Sequence, residues 1–128
     1  MSLWLAMVVA VVVVSLLPST APPGEFGIDK VAHIAAYLVL TIIPAAVLPR
    51  TTAVRSVMLF LIAIGAGVEL AQSYIPGRQG SAADMLANAA GIVLGAWAGR
   101  QIWRRLILAR IMARSTRTGG PNPRGPDR

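Results

Sequence analysis

An all-α integral membrane fold, a four-helix bundle with antiparallel neighbours, is predicted by three features of the sequence. Hydrophobic residues fill 55% of the 128 positions and charged residues only 13%, whereas a soluble domain carries roughly 25% charged residues. The apolar residues gather in four blocks at about 2–17, 31–48, 55–75 and 82–102. Each approaches the roughly 20 residues that cross a bilayer core of about 30 Å at 1.5 Å per helical residue. The connections, at 18–30, 49–54 and 76–81, are short enough to make consecutive helices antiparallel neighbours. Residues 1–103 are thus expected to form one transmembrane domain and 104–128 a tail, with no length left for a separate soluble catalytic domain.

The first block is the shortest, and its length is also that of a signal peptide's apolar region. No Lys or Arg precedes it, and Ala21 followed by Pro22 and Pro23 makes a poor cleavage site, so it is read as a retained anchor that ends at Pro18. In the second block Pro44 removes a backbone donor, which predicts a kink near Leu40 or marks a fraying end. Asp29 suits the N-cap of this helix, and Ser81 with Asp84 resembles a capping box for the fourth. The third block carries Ala63, Gly67 and Ala71, and the fourth Ala83, Ala87, Gly91, Gly95 and Gly99, all at intervals of four. Small residues on one helical face let backbones approach closely in lipid, so Gly67, Gly91, Gly95 and Gly99 are expected packing positions.

Twelve Lys and Arg against five Asp and Glu give a net charge of +7, but the arginines cluster from Arg100 to Arg128, so the charge describes one end and does not point to nucleic acid. Between 104 and 114, arginines alternate with Leu106, Ile107, Leu108, Ile111 and Met112. That pattern fits either an interfacial helix on anionic headgroups or a solvated tail that sets topology. The Gly/Pro/Arg-rich end is expected to be disordered. The positive-inside rule puts this tail, the loop with Arg50 and Arg55, and the N-terminus in the cytoplasm. The first and third connections then face the opposite, extracytoplasmic side.

Cysteine is absent, which excludes disulfides, thiolate metal centres and thiol nucleophiles. Chemistry must come from a few other polar groups. A carboxylate at the centre of a bilayer costs roughly 2.5–3.5 kcal/mol on the insertion scale, so Glu69, with Gln72 within one turn, is a candidate for function as well as for helix pairing. Asp29, His33 and Tyr37 form one stripe at four-residue spacing, and Asp84 and Asn88 repeat that spacing on the fourth helix. With Lys30 and Arg78, these residues are expected at one side of the membrane in a single polar pocket. Each also has a plainer explanation: Asp29 and Asp84 as caps, Lys30 and Arg78 as snorkelling cations, and Glu69 as a hydrogen-bonded staple.

The pattern Asp29-Lys30-x-x-His33-x-x-x-Tyr37, then Glu69-x-x-Gln72-x-x-x-Pro76-x-Arg78, then Asp84-x-x-x-Asn88-x-x-Gly91 resembles the signature of the VanZ-like membrane proteins. The resemblance covers about 29–95, and the combined spacings are more specific than any one motif. Ile34 stands where such proteins often carry an aromatic residue, a change in packing alone. The resemblance implies a multi-pass protein of the bacterial cytoplasmic (inner) membrane and a link to glycopeptide (teicoplanin) tolerance, and it supplies fold and location more securely than activity.

Two classes of function follow. In a binding protein, Lys30 and Arg78 would meet phosphate while Gln72 and Asn88 bond neutral groups. The ligand would be a membrane lipid or a lipid-linked cell-wall precursor. In an intramembrane enzyme, His33 or Glu69 would act as general base and Arg78 would stabilise developing charge, but no nucleophile motif supports this. A small proton-coupled transporter is a further alternative. One imidazole with carboxylates can hold a divalent ion, but dedicated zinc sites use more His or Cys than this chain offers, so neither metal nor cofactor is expected. Oligomeric state and catalytic residues are left open.

Overall fold

The computed structural model describes residues 2–17, 27–75 and 80–118. Arg78, assigned above to the polar pocket, and the end of the tail expected to be disordered lie outside the described residues. The described residues form four helices: α1 (Ser2–Leu16), α2 (Ile28–Val47), α3 (Thr51–Gln72) and α4 (Ala82–Thr118). Three contain segments long and apolar enough to cross a membrane: Asp29–Val47, Thr51–Gln72 and Ala82–Ser115. α1 is more apolar than these but has only 15 residues, a length of about 22 Å. Leu59, Leu70, Leu86 and Trp97 are exposed, as expected of helices whose outer faces meet lipid.

Each helix contributes to one small core, in which Val8 of α1, Tyr37 and Leu40 of α2, Leu61 of α3 and Ile92 of α4 are buried together. The most extensive helix pair is α2 with α4, which are not consecutive in the chain. Its register rises together on both sides. A Cβ built on Gly91 would strike the carbonyl of Ile34, one on Gly95 would lie 2.5 Å from the Leu38 oxygen, and one on Gly99 2.5 Å from the Ile42 oxygen. The two helices therefore run in the same direction with backbones in contact, and glycine every fourth residue on α4 creates the necessary groove. The register between α3 and α4 runs the other way along α4, with Gly65 beside Asn88 and Glu69 beside Ser81.

Gly67, grouped above with the packing glycines, is exposed and has nothing within 4 Å of a built Cβ. The close approach on α3 occurs at Gly65 instead. Helix limits also differ from the apolar blocks. α3 starts at Thr51, because the chain resumes helix directly after Pro49 and Arg50 and includes Arg55 in its second turn. α4 passes Trp103 and continues to Thr118, since neither Gly nor Pro interrupts 100–118 and Arg, Leu and Ala favour helix. The arginine-rich stretch is therefore a direct extension of α4, whose 37 residues reach about 55 Å.

Pro44 lies inside α2. The ring leaves the Leu40 carbonyl without its usual i+4 donor, and the Trp4 indole of α1 supplies one at 2.7 Å. One turn further on, at the C-cap of α2, Arg100 donates to the Leu48 carbonyl and to Thr51 Oγ1, both at 2.8 Å. A cation thus satisfies the negative end of the helix while joining the α2–α3 turn to α4.

Candidate functional site

The site is built where the first turns of α2 and α4 meet the last turns of α3. α2 begins on Gly27, whose φ of 67° is in the left-handed region. This helix start precedes the one read from the sequence, so Asp29 lies inside the first turn and is not the N-cap. Its carboxylate is about half exposed and pairs with Lys30 at 3.3 Å. Lys30 also stands 3.6 Å from Asp84 Oδ1, so one cation at the rim faces two acids.

At the start of α4, half of the expected capping box is present. Ser81 Oγ accepts from the Ala83 N–H at 3.2 Å, as an N-cap should. The reciprocal bond does not come from Asp84. The Ser81 N–H donates instead to Glu69 Oε2 of α3 at 3.0 Å, and Gly80 allows this approach because a Cβ there would collide with the Glu69 backbone carbonyl. Glu69 therefore takes over the capping role, and Asp84 turns inward with 9% of its surface exposed.

Between these elements, His33 Nδ1 and Asn88 Oδ1 are 2.9 Å apart. An amide oxygen only accepts, so Nδ1 is the donor in this pair and Nε2 is the ring nitrogen not engaged by Asn88. His33, Glu69 and Asp84 each bring one potential ligand atom within 4.8 Å of the other two. Glu69 and Asn88 are almost wholly buried. Glu69 Oε1, Asp84 Oδ1 and Asn88 Nδ2 have no hydrogen-bond partner, whereas most buried polar atoms are paired. Gly65 makes room here, since a built Cβ would be 3.2 Å from both Asn88 Nδ2 and the Tyr37 hydroxyl.

Of the nine positions singled out from the sequence, His33, Tyr37, Glu69, Asp84 and Asn88 converge, with Asp29 and Lys30 at the rim. Gln72 points elsewhere: its amide donates to the Ser15 carbonyl of α1 at 2.7 Å, satisfying a helix-end acceptor. Gly65, Gly80 and Ser81 are site-building residues whose role the sequence reading missed or only half assigned. The Gly80-Ser81 pair ahead of an apolar run carried a signal for Ser81, whereas Gly65 fell outside the four-residue stripe that drew attention to Gly67.

Chemically, the cluster offers carboxylate and imidazole acceptors with one amide donor, and a lysine at its edge. Among the described residues, Glu69 has no cationic partner. A cavity of about 30 Å³ beside Asn88, lined also by Ile62, Gly65 and Ile92, is on the scale of a water molecule and too small for a lipid headgroup.

No curated protein and no solved structure matches the chain. A family model described as VanZ/LLP1 matches residues 3–104, which takes in α1, α2, α3, the site residues and α4 as far as its second arginine after the last packing glycine. The chain belongs to the VanZ/LLP1 family.

Proposed function

We propose that this protein sits in the bacterial cytoplasmic membrane and crosses it with four segments, each antiparallel to the next in the chain, both termini facing the cytoplasm. Its polar corner then faces outward and engages the headgroup of a lipid or a lipid-linked cell-wall precursor. The observation that carries this reading is the convergence of His33, Glu69, Asp84 and Asn88, with three unpaired buried polar atoms, at one end of helices otherwise suited to lipid. Burial of ionisable groups within spanning helices is costly and marks functional positions.

The chemistry favours a ligand rich in amides or hydroxyls. Such groups match the donor of Asn88 and the acceptors of Glu69 and Asp84, while Lys30 and Arg78 answer phosphate. Because the interior cavity is small, the headgroup meets the corner from its rim, where Asp29 is exposed and Lys30 partly so. A role in teicoplanin tolerance would follow if the bound headgroup belongs to a precursor of the wall.

Native mass spectrometry of the detergent-purified chain with its co-purified lipids tests the reading. Wild type is expected to retain a specific envelope lipid that folded Arg78→Ala and Glu69→Gln proteins lose. Bulk phospholipid alone, carried equally by all three, would overturn it.

A further inference from the structure

The unpaired atoms of the corner have a feature that headgroup binding leaves unused. His33, Glu69 and Asp84 come from three different helices; Glu69 and Asp84 each keep one buried oxygen without a hydrogen bond, that of Asp84 lying 3.6 Å from the Lys30 ammonium, while a neighbour orients the other polar atom or the backbone. His33 gives Nδ1–H to Asn88 and keeps Nε2. Glu69 accepts from Ser81 on Oε2 and keeps Oε1. Asp84 sits in the first turn of α4, which Ser81 caps, and keeps Oδ1 without a hydrogen bond. Holding the far side of a ligand by a hydrogen bond is how proteins orient metal ligands and raise their basicity.

Charge leads to the same conclusion. Two buried carboxylates lie close together, and the nearest Lys at 3.6 Å from Asp84 is shared with Asp29. A divalent cation seated among them would meet both carboxylates and the imidazole nitrogen at once, using the buried atoms that have no hydrogen-bond partner.

We propose that His33, Glu69 and Asp84 form a divalent transition-metal site of one nitrogen and two carboxylate ligands, with Asn88 as the positioning residue for the imidazole. The mixed donor set suits Zn²⁺ or Mn²⁺, whereas an all-oxygen set would suit Mg²⁺ or Ca²⁺. One ligand atom from each residue lies within 4.8 Å of the other two, whereas a tetrahedral zinc with bonds of about 2.0–2.1 Å sets its ligands about 3.4 Å apart, so the three side chains close together on binding. Three protein ligands would leave a coordination position for water or a further ligand. The inference does not depend on headgroup binding.

The test uses the full chain, purified in detergent through a handle without histidine, stripped with chelator and titrated with Zn²⁺ or Mn²⁺ in the absence of added lipid. One equivalent per chain is expected by elemental analysis, together with a rise in the thermal midpoint of wild type. Affinity should fall at least a hundredfold in Glu69→Gln and Asp84→Asn, and about 10–100-fold in Asn88→Ala. Folded wild type that binds no stoichiometric ion and shows no thermal shift overturns the site, as does binding that survives in both carboxamide variants. If those variants fail to fold, the wild-type titration and thermal shift decide alone. Lipid retention measured in chelator separates failure of the metal site from failure of the headgroup reading.

Discussion

The α2–α4 seam and the α3–α4 corner are made from opposite materials. Along the seam, Gly91, Gly95 and Gly99 press α4 against the backbone of α2, and specificity comes from the absence of side chains. At the corner, Glu69 and Ser81 join α3 to α4 through one backbone-to-carboxylate bond, and specificity comes from chemistry. Yet the seam governs the corner. Its register, Ile34 on Gly91 and Leu38 on Gly95, continues one turn outward to set His33 on Asn88 and Lys30 near Asp84. Close packing establishes the distances, and the polar residues use them.

If that dependence is right, a bulky residue in the seam should abolish both regions. Gly95→Leu places side-chain atoms where a Cβ already lies 2.5 Å from the Leu38 carbonyl oxygen and 2.9 Å from Thr41 Cβ. Backbone cannot yield as a flexible side chain can, so the cost is expected to reach or exceed about 3 kcal/mol, the upper part of the overpacking range. Little folded protein should be recovered in detergent by size-exclusion chromatography. Gly67→Ala is the matched control, because nothing lies within 4 Å of its Cβ. It should be neutral or stabilising by up to about 1 kcal/mol through helix propensity. Equal damage from the two substitutions would show that the seam has no special standing.

Damage at the corner should stay local. Glu69→Ala leaves the Ser81 N–H without its carboxylate and is expected to cost about 1.5–3 kcal/mol, the range for a hydrogen bond to a charged group. Glu69→Gln keeps an acceptor and should recover most of that loss. Reversible unfolding in mixed micelles measures both, and hydrogen exchange at Ser81 locates the effect. Exchange that quickens equally along α2 would mean that the corner supports the seam, reversing the dependence.

The two regions also differ in how far the sequence revealed them. Intervals of four on α4 follow directly from helical geometry, so Gly91, Gly95 and Gly99 were readable as a packing face. What they packed against was not, since loop lengths argue for consecutive neighbours and the major partner is the non-consecutive α2. The same stripe logic chose Gly67 over Gly65, because spacing identifies a face but not the direction in which that face points. The polar residues stood out as costly in lipid, and helical spacing was enough to group them toward one end of the bundle. The exchange of partners at Ser81 was not, because a capping box is a local pattern and Glu69 reaches it from another helix. Arg100 was hidden for a related reason: within an arginine-rich stretch, nothing distinguishes the one that caps α2.

Smaller effects sharpen the comparison at single hydrogen bonds. Trp4→Phe keeps an aromatic body beside Phe60, whose ring centroid lies 6.3 Å from that of Trp4, but removes the donor to the Leu40 carbonyl. The expected loss is about 1–2 kcal/mol, since a buried acceptor left unmade costs about 1–3 kcal/mol and such bonds in membrane proteins often fall at the low end. Pro44→Ala restores the missing i+4 donor, so Trp4→Phe should cost less in that background. Equal losses in both backgrounds would separate Trp4 from the proline. Ser81→Ala removes the hydroxyl cap from the Ala83 N–H and should cost about 1 kcal/mol, while the backbone bond to Glu69 persists.

The smallest expected change in stability comes from Lys30→Ala, and its sign in a second measurement carries the most information. Lys30 is partly exposed and bridges Asp29 and Asp84 at 3.3 and 3.6 Å, a pairing of the kind that contributes about 0–1 kcal/mol. Removing it should barely alter the unfolding midpoint. For the cation site, however, Lys30 is a competitor, since its ammonium offers Asp84 the positive charge that a metal ion would supply. Lys30→Ala is therefore expected to bind Zn²⁺ or Mn²⁺ as tightly as wild type or more tightly, while Asp84→Asn binds them more weakly. A lower metal affinity in Lys30→Ala, with folding intact, would mean that the lysine helps to assemble the carboxylates, and the corner would then be an ion-paired staple.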